Sequence, residues 1–137
     1  MSDQHESINE IQHLQFELLR HTRYNLLDGE AIVRDLLSWR NLWYSVVTTR
    51  LPIPIPDSKS LVSTAELALL RTTRWNDWPA DTLYIWTDDK RVKQLQKLIE
   101  EHWQADEVTV LSPEDIEVKY SNLGHDEENR IIFVWWD

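Results

Sequence analysis

The chain has 137 residues, no Cys, two Gly and a formal net charge of −10. Without cysteine, disulfides, thiolate metal sites and cysteine nucleophiles are excluded. With glycine at only two positions, neither a GxGxxG dinucleotide turn nor a GxxxxGK[ST] phosphate loop can be written. A hydrophobic fraction of 42% at this length predicts one folded domain and excludes a disordered or fibrous chain.

The negative charge is concentrated in the second half of the chain. Residues 1–80 carry 8 basic and 10 acidic side chains, whereas residues 81–137 carry 6 and 14. Because nucleic-acid affinity depends on Lys and Arg neutralising phosphates, this balance predicts against a nucleic-acid partner and favours a basic protein. The polar first residues and the absence of a long apolar run predict a cytoplasmic protein with no membrane segment.

Two helices are predicted over residues 1–50. Residues 8–27 predict a helix that packs one apolar side on the core and ends with Gly29 as a left-handed cap. That side carries Ile8, Ile11, Leu14, Leu18, Leu19 and Leu26. Residues 30–49 predict a second, broadly apolar helix, so that Gly29 would join an antiparallel helical hairpin. Residues 51–60 are rich in proline and predict a stiff, extended connector.

The rest of the chain predicts a third helix and a sheet. Ser63 and Glu66 form a capping box for a helix within residues 61–75, running from Thr64 to about Arg74. Residues 82–137 predict a strand, a helix and three further strands: a parallel βαβ unit followed by a C-terminal hairpin of residues 116–120 and 131–136. The predicted fold is therefore α+β, with N-terminal helices packed on a small mixed sheet of about four strands.

A candidate catalytic cluster follows the first predicted strand. Asp88 and Asp89 offer paired carboxylates for Mg²⁺, and Asp137 would join them if the last strand ran parallel to the first. Lys90 and Arg91 offer an alternative anion site at the start of the next helix. The competing interpretation is ordinary helix capping by the aspartates, with the two cations solvated.

A second polar row lies on the first helix. His13, Glu17 and His21 recur every four residues, a spacing that can bind zinc. Because these side chains lie opposite the apolar stripe, a solvated face is the preferred interpretation, and no metal or cofactor is predicted. There is also no GxSxG motif, so the sequence favours a non-enzymatic function.

The most interface-like stretch contains Arg71, Arg74, Trp75 and Trp78. Arg and Trp are the residue types that concentrate binding energy at protein contacts, although both tryptophans could instead cap the core. Of the eight tryptophans, four are predicted to lie in the core: Trp39, Trp43, Trp86 and Trp103. Trp135 and Trp136 are adjacent in a predicted strand, so they face opposite sides of the sheet and only one can share a given core.

The sequence therefore favours a non-catalytic protein-binding or assembly module, acting through the Arg71–Trp78 segment and the acidic C-terminal surface on a protein partner or a second copy. One alternative is a small metal- or phosphate-dependent enzyme centred on Asp88 and Asp89. Another is an acidic inhibitor or immunity-type protein, which would use Asp126, Glu127 and Glu128 to bind a basic partner.

Overall fold

The computed structural model describes residues 8–50, 64–112, 114–115 and 128–137. These residues form an α+β fold, as predicted, with helices alongside two antiparallel sheets. A short 3-10 turn, Arg40–Leu42, follows the second helix. The helices are α1 (Glu10–Arg20), α2 (Gly29–Ser38), α3 (Thr64–Arg74) and α4 (Val92–His102). The strands are β1 (Arg23–Tyr24), β2 (Leu27–Asp28), β3 (Ser45–Arg50), β4 (Ala80–Asp88), β5 (Glu107–Leu111) and β6 (Asn129–Trp135).

The larger sheet has the strand order β3-β4-β6-β5, and every neighbouring pair is antiparallel. The prediction of a mixed sheet with β4 and β5 paired in parallel is therefore wrong. β4 and β5 do run in the same direction, but β6 lies between them and pairs with both. The crossover through α4 places β5 two strand positions away from β4. β6 fills the position between them and forms an antiparallel pair with each.

The region between α1 and α2 also differs from the predicted helical hairpin. α1 ends at Arg20, and β1 and β2 form a small antiparallel ladder whose turn contains Asn25. Asn25 has a φ of 52°, in the left-handed region that asparagine tolerates. Gly29 is not a left-handed cap; it is the first residue of α2, and the Asp28 carboxylate caps that helix by accepting from the backbone N–H of Ala31.

The second predicted helix was expected to continue to residue 49, but α2 ends at Ser38. The residues from Ser45 form β3, where Val46 and Thr48 are buried and Val47 is exposed. This alternation shows that the strand preference of consecutive β-branched residues outweighed the helical spacing of the apolar ones.

α3 spans Thr64–Arg74, the range predicted from the sequence. The capping box of Ser63 and Glu66, the proline-rich connector over residues 51–60 and the predicted strand over residues 116–120 lie outside the described residues or side chains. β5 and β6 occupy the ranges in which the sequence predicts strands, to within two residues at each end.

α1, α2 and α4 contribute to a hydrophobic core on one face of the sheet. Trp43, Trp103 and Trp136 are buried there, and the Trp43 indole N–H donates to the Leu36 carbonyl oxygen at 2.8 Å. Trp39 is only half-buried and stacks on Trp103 at the edge of this core.

Two further tryptophans lie on the opposite face of the sheet. Trp86, which was expected in the core, is half-buried there and donates to Asn129 Oδ1 at 3.0 Å. Trp135 is half-buried as well and donates to Asp81 Oδ2 at 3.2 Å. Since its neighbour Trp136 is in the core, the prediction that the adjacent pair faces opposite sides is confirmed.

The edge strand β3 is protected by two glutamines of α1. Gln12 is buried, and its side-chain amide donates to the Val46 carbonyl oxygen and accepts from the Val46 N–H, at 2.8 and 2.9 Å. Gln15 accepts from the Thr48 N–H at 2.9 Å. These bonds satisfy backbone groups that an unpaired edge would offer to another chain.

Candidate functional site

α1 has two apolar faces, and the predicted core stripe is divided between them. Gln12, Phe16 and Leu19 face the core and the β3 edge. Ile11 and Leu14 consequently point outward and are 68% and 55% exposed. The predicted burial is therefore confirmed for Leu19 and wrong for Ile11 and Leu14, because Phe16 and the β3-binding glutamines occupy the inner face.

α3 presents a second set of exposed apolar side chains. Leu67, Leu70 and Trp75 are 56%, 68% and 62% exposed. The Arg71 guanidinium lies 5.6 Å from the centroid of the Trp75 ring, within cation–π range. We call the exposed groups on the two helices the α1–α3 surface; its members are Ile11, Leu14, Leu67, Leu70, Arg71, Arg74 and Trp75.

The C-terminal ends of α1 and α3 line one groove of about 440 Å³. Leu14 and Leu18 line it from α1, and Thr73 lines it from α3. The Trp78 backbone N–H donates to the His21 carbonyl oxygen at 3.0 Å, and the Thr22 hydroxyl donates to the Trp78 carbonyl oxygen at 3.1 Å. These bonds attach the end of α3 to the end of α1.

The turn after α3 separates the two tryptophans predicted for binding. Asn76 has a φ of 62°, and the Asp77 N–H returns to the Thr72 carbonyl oxygen at 2.9 Å, which closes the helix with a left-handed residue. Trp78 then continues toward α1 and is half-buried, whereas Trp75 remains exposed. Of this pair, Trp75 is available for contact and Trp78 is fixed against the protein.

Asp88 is buried at the end of β4 and serves as the cap for the turn that leads into α4. Its Oδ1 accepts from the backbone N–H groups of Lys90 and Arg91, both at 3.0 Å. Its Oδ2 accepts from the Tyr44 hydroxyl at 2.6 Å and lies 3.6 Å from the Arg91 guanidinium. Both oxygens are therefore engaged, Oδ1 by the turn before α4. The N-cap residue of α4 itself is Arg91, whose side chain makes no capping bond, so Asp88 caps the turn rather than the helix.

The same contacts lower the pKa of Asp88 and raise the pKa of Tyr44. Burial raises the pKa of Asp88, but the hydrogen bond from Tyr44, the backbone N–H groups and the Arg91 charge outweigh it and hold that pKa below its ordinary value. The hydrogen bond to Asp88, together with burial and the aspartate charge, raises the pKa of Tyr44. Asp88 is thus held ionised and Tyr44 protonated.

The other members of the predicted catalytic cluster do not converge with Asp88. In the antiparallel register Asp88 pairs with Asn129, at the start of β6, whereas the Trp136 N–H donates to the Asp81 carbonyl oxygen at the opposite end of β4. Asp137 therefore lies at the opposite end of these strands from Asp88. Asp89 and Lys90 are exposed beside Asp88, and the Asp88 carboxylate already occupies the position that an anion held by Lys90 and Arg91 would take.

The polar row on α1 is solvated. His13, Glu17 and His21 are all exposed, and the part of the chain that the structure describes contains no cluster of three or more His, Asp or Glu side chains able to hold a metal. Of the three acids proposed for charge mimicry, Glu128 is exposed, while Asp126 and Glu127 lie outside the described residues. No helix among the described residues has the length and apolar character needed to cross a bilayer.

Comparisons with protein-family models, with the curated proteins and with the solved structures each give no match.

The sequence predicts Arg71, Arg74 and Trp75 as binding residues, but it does not predict the exposure of Ile11, Leu14, Leu67 and Leu70. The available signal was an excess of apolar positions: α1 carries Phe16 and Leu19 as well as Ile11 and Leu14, more than one core-facing stripe holds. Two apolar faces on one helix indicate two packing partners, and among the described residues only the core face is covered.

Proposed function

We propose that the protein is a non-catalytic protein-binding module and that the α1–α3 surface is its contact site. The observation that carries this proposal is a set of five large apolar side chains, each more than half exposed, on α1, on α3 and on the residue that follows α3. The C-terminal ends of these two helices line one groove. Soluble monomers rarely expose contiguous apolar patches larger than a few hundred Å², and larger ones mark sites of interaction.

The composition of the surface supports the same function. Trp75, flanked by Arg71 and Arg74, provides the aromatic and guanidinium groups that dominate binding energy in protein interfaces. Leu67 and Leu70, on the helix that leads to Trp75, add exposed apolar area that would exclude water from such a contact. The bound partner would gain a tryptophan anchor at the centre and charged groups at the rim.

Replacement of Leu70 by glutamate is expected to reduce partner binding by about a hundredfold, because it places a charge in the apolar centre of the contact. Leu26→Glu is the matched control: Leu26 is 64% exposed, close to the 68% of Leu70, but lies in the turn between β1 and β2. Tagged wild type and both variants are incubated with an extract of the source cells, and the bound proteins are quantified by mass spectrometry.

The proposal requires that at least one protein is retained by wild type and by Leu26→Glu but is lost with Leu70→Glu. An untagged copy of the same chain counts as such a protein. Circular dichroism establishes that both variants are folded. Equal retention of every bound protein by all three forms would show that the α1–α3 surface is not the contact site.

A further inference from the structure

A cavity of about 280 Å³ lies where the start of α2 meets the end of α4 and the last residues of the chain. Ala31 and Ile32 line it from α2, His102 and Trp103 from the end of α4, and Trp136 from the position after β6. Trp103 and Trp136 are 5% and 1% exposed, so packing in the core fixes this part of the wall. The cavity shares no lining residue with the α1–α3 surface.

The Trp136 side chain brings an unpaired donor to this wall. An indole N–H donates but cannot accept, and the buried Trp136 Nε1 has no acceptor among the described residues. The other two buried tryptophans are paired. The Trp43 N–H donates to the Leu36 carbonyl oxygen at 2.8 Å, and the Trp103 N–H donates to Asp35 Oδ2 at 3.0 Å. Because a buried donor without a partner is costly, an acceptor that enters the cavity would gain a hydrogen bond from Trp136.

The Asp28 carboxylate gives the same cavity an acceptor. Asp28 lines the cavity, and both of its contacts reach Oδ1: the Ala31 backbone N–H donates to it at 3.3 Å, and the Arg23 guanidinium lies 3.2 Å away. Oδ2 has no partner in the part of the chain that the structure describes, so it can accept from a donor on a ligand. The cavity therefore combines a buried donor with a carboxylate oxygen.

Charge and size restrict the ligand. The lining contains the Asp28 carboxylate and no Lys or Arg. Arg23 is shared between Asp28 and Glu30, at 3.2 and 3.7 Å, so these three side chains together remain negative. An anionic group would be repelled, and the acceptor for Trp136 therefore belongs to an uncharged group. The volume lies just below the range of about 300–1,000 Å³ that is typical for drug-sized ligands, and the indole of Trp103 suits a flat ring.

We propose that this cavity is a binding site for a small, uncharged aromatic amide. The amide carbonyl oxygen accepts from the Trp136 indole N–H, the amide N–H donates to Asp28 Oδ2, and the ring packs against Trp103 and Ile32. A carboxylate in place of the amide would be repelled by Asp28. A ring without a polar group would leave the Trp136 N–H unpaired.

Titration of nitrogen-15-labelled protein with benzamide, followed by NMR, tests the site because each tryptophan indole N–H gives its own resonance. Trp136→Phe assigns the Trp136 resonance by its loss. The matched control is Trp135→Phe, which removes the N–H that donates to Asp81. Benzoate and toluene carry the same ring with an anion and with no polar group. We expect benzamide to shift the Trp136 resonance downfield in a saturable manner, with a Kd at least about tenfold lower than that of benzoate or toluene.

A second variant tests the carboxylate without disturbing the core. Asp28→Asn keeps an oxygen that can cap α2 but loses the Oδ2 acceptor, and it is expected to weaken benzamide binding at least about tenfold. Glu30→Gln is its matched control, because it removes the same charge from the other acid beside Arg23. The inference would be overturned by a Trp136 resonance that does not respond to millimolar benzamide. An equal response to toluene, or equal affinities of Asp28→Asn and Glu30→Gln, would overturn it as well.

Discussion

Replacement of Gly29 by alanine is expected to destabilise the protein by about 4 kcal/mol or more, near the upper end of effects for single substitutions. A Cβ atom at this position would lie 1.7 Å from the Leu19 carbonyl oxygen and 2.9 Å from that of Thr22. Both are backbone atoms, so no side-chain rotation relieves the overlap. Accommodating the methyl group requires α1 and α2 to separate, which opens the core between them.

The direction of this effect is informative because glycine to alanine normally stabilises a helix by about 1 kcal/mol. Urea denaturation measures the change in the free energy of unfolding. Glu30→Ala is the neighbouring control: Glu30 is exposed and makes only a surface ion pair with Arg23, so a change within about 0.5 kcal/mol is expected. A Gly29→Ala protein as stable as wild type would contradict the close approach of α1 and α2.

Asp88→Asn is expected to cost about 2 kcal/mol at neutral pH, because hydrogen bonds to a charged acceptor contribute about 1.5–3 kcal/mol and Asp88 accepts three of them. Asparagine retains one acceptor for the backbone N–H groups but loses the charge that binds the Tyr44 hydroxyl and Arg91. The measurement is urea denaturation as a function of pH, with exposed Asp89→Asn as the control.

The pH dependence has a definite sign. Since the pKa of Asp88 is lower in the folded than in the unfolded state, its contribution is complete above the ordinary value near pH 4 and disappears as the pH falls through the folded value. The difference between wild type and Asp88→Asn should therefore shrink in acid. The raised pKa of Tyr44 adds stability that is lost as the pH rises through its folded value. A pH-independent difference, or an equal effect of Asp89→Asn, would show that Asp88 does not act through its charge.

Sequence patterns predicted the fold class, α3 and those strands whose residues favoured only one type of secondary structure. The adjacent pair Trp135 and Trp136 illustrates this: the strand period of two places them on opposite faces, and the structure does so. The residues of β3 carried two signals at once. Their apolar spacing matched a helix, but the β-branched run at residues 46–49 favoured a strand, and pairing with β4 decided the outcome.

The remaining features depend on contacts between residues distant in sequence. Nothing local to β6 indicates that it inserts between β4 and β5, since that position is set by the length of the α4 crossover. The inward orientation of Gln12 follows from the backbone groups of Val46, 34 residues away. With Gln12 and Phe16 on the inner face, Ile11 and Leu14 point outward, so the candidate site could not be located from the periodicity of α1 alone.

The most direct test of the α1–α3 surface uses the absence of cysteine from the chain. Leu70→Cys and Leu26→Cys each introduce one unique thiol, and the rate of maleimide labelling reports whether another protein covers it. The ratio of the two rates is measured in dilute buffer and in an extract of the source cells, where competing small thiols affect both variants equally. We expect labelling of the Leu70→Cys thiol to be at least about tenfold slower in the extract, relative to Leu26→Cys, than in buffer. A ratio unchanged between buffer and extract would contradict a protein contact at this surface.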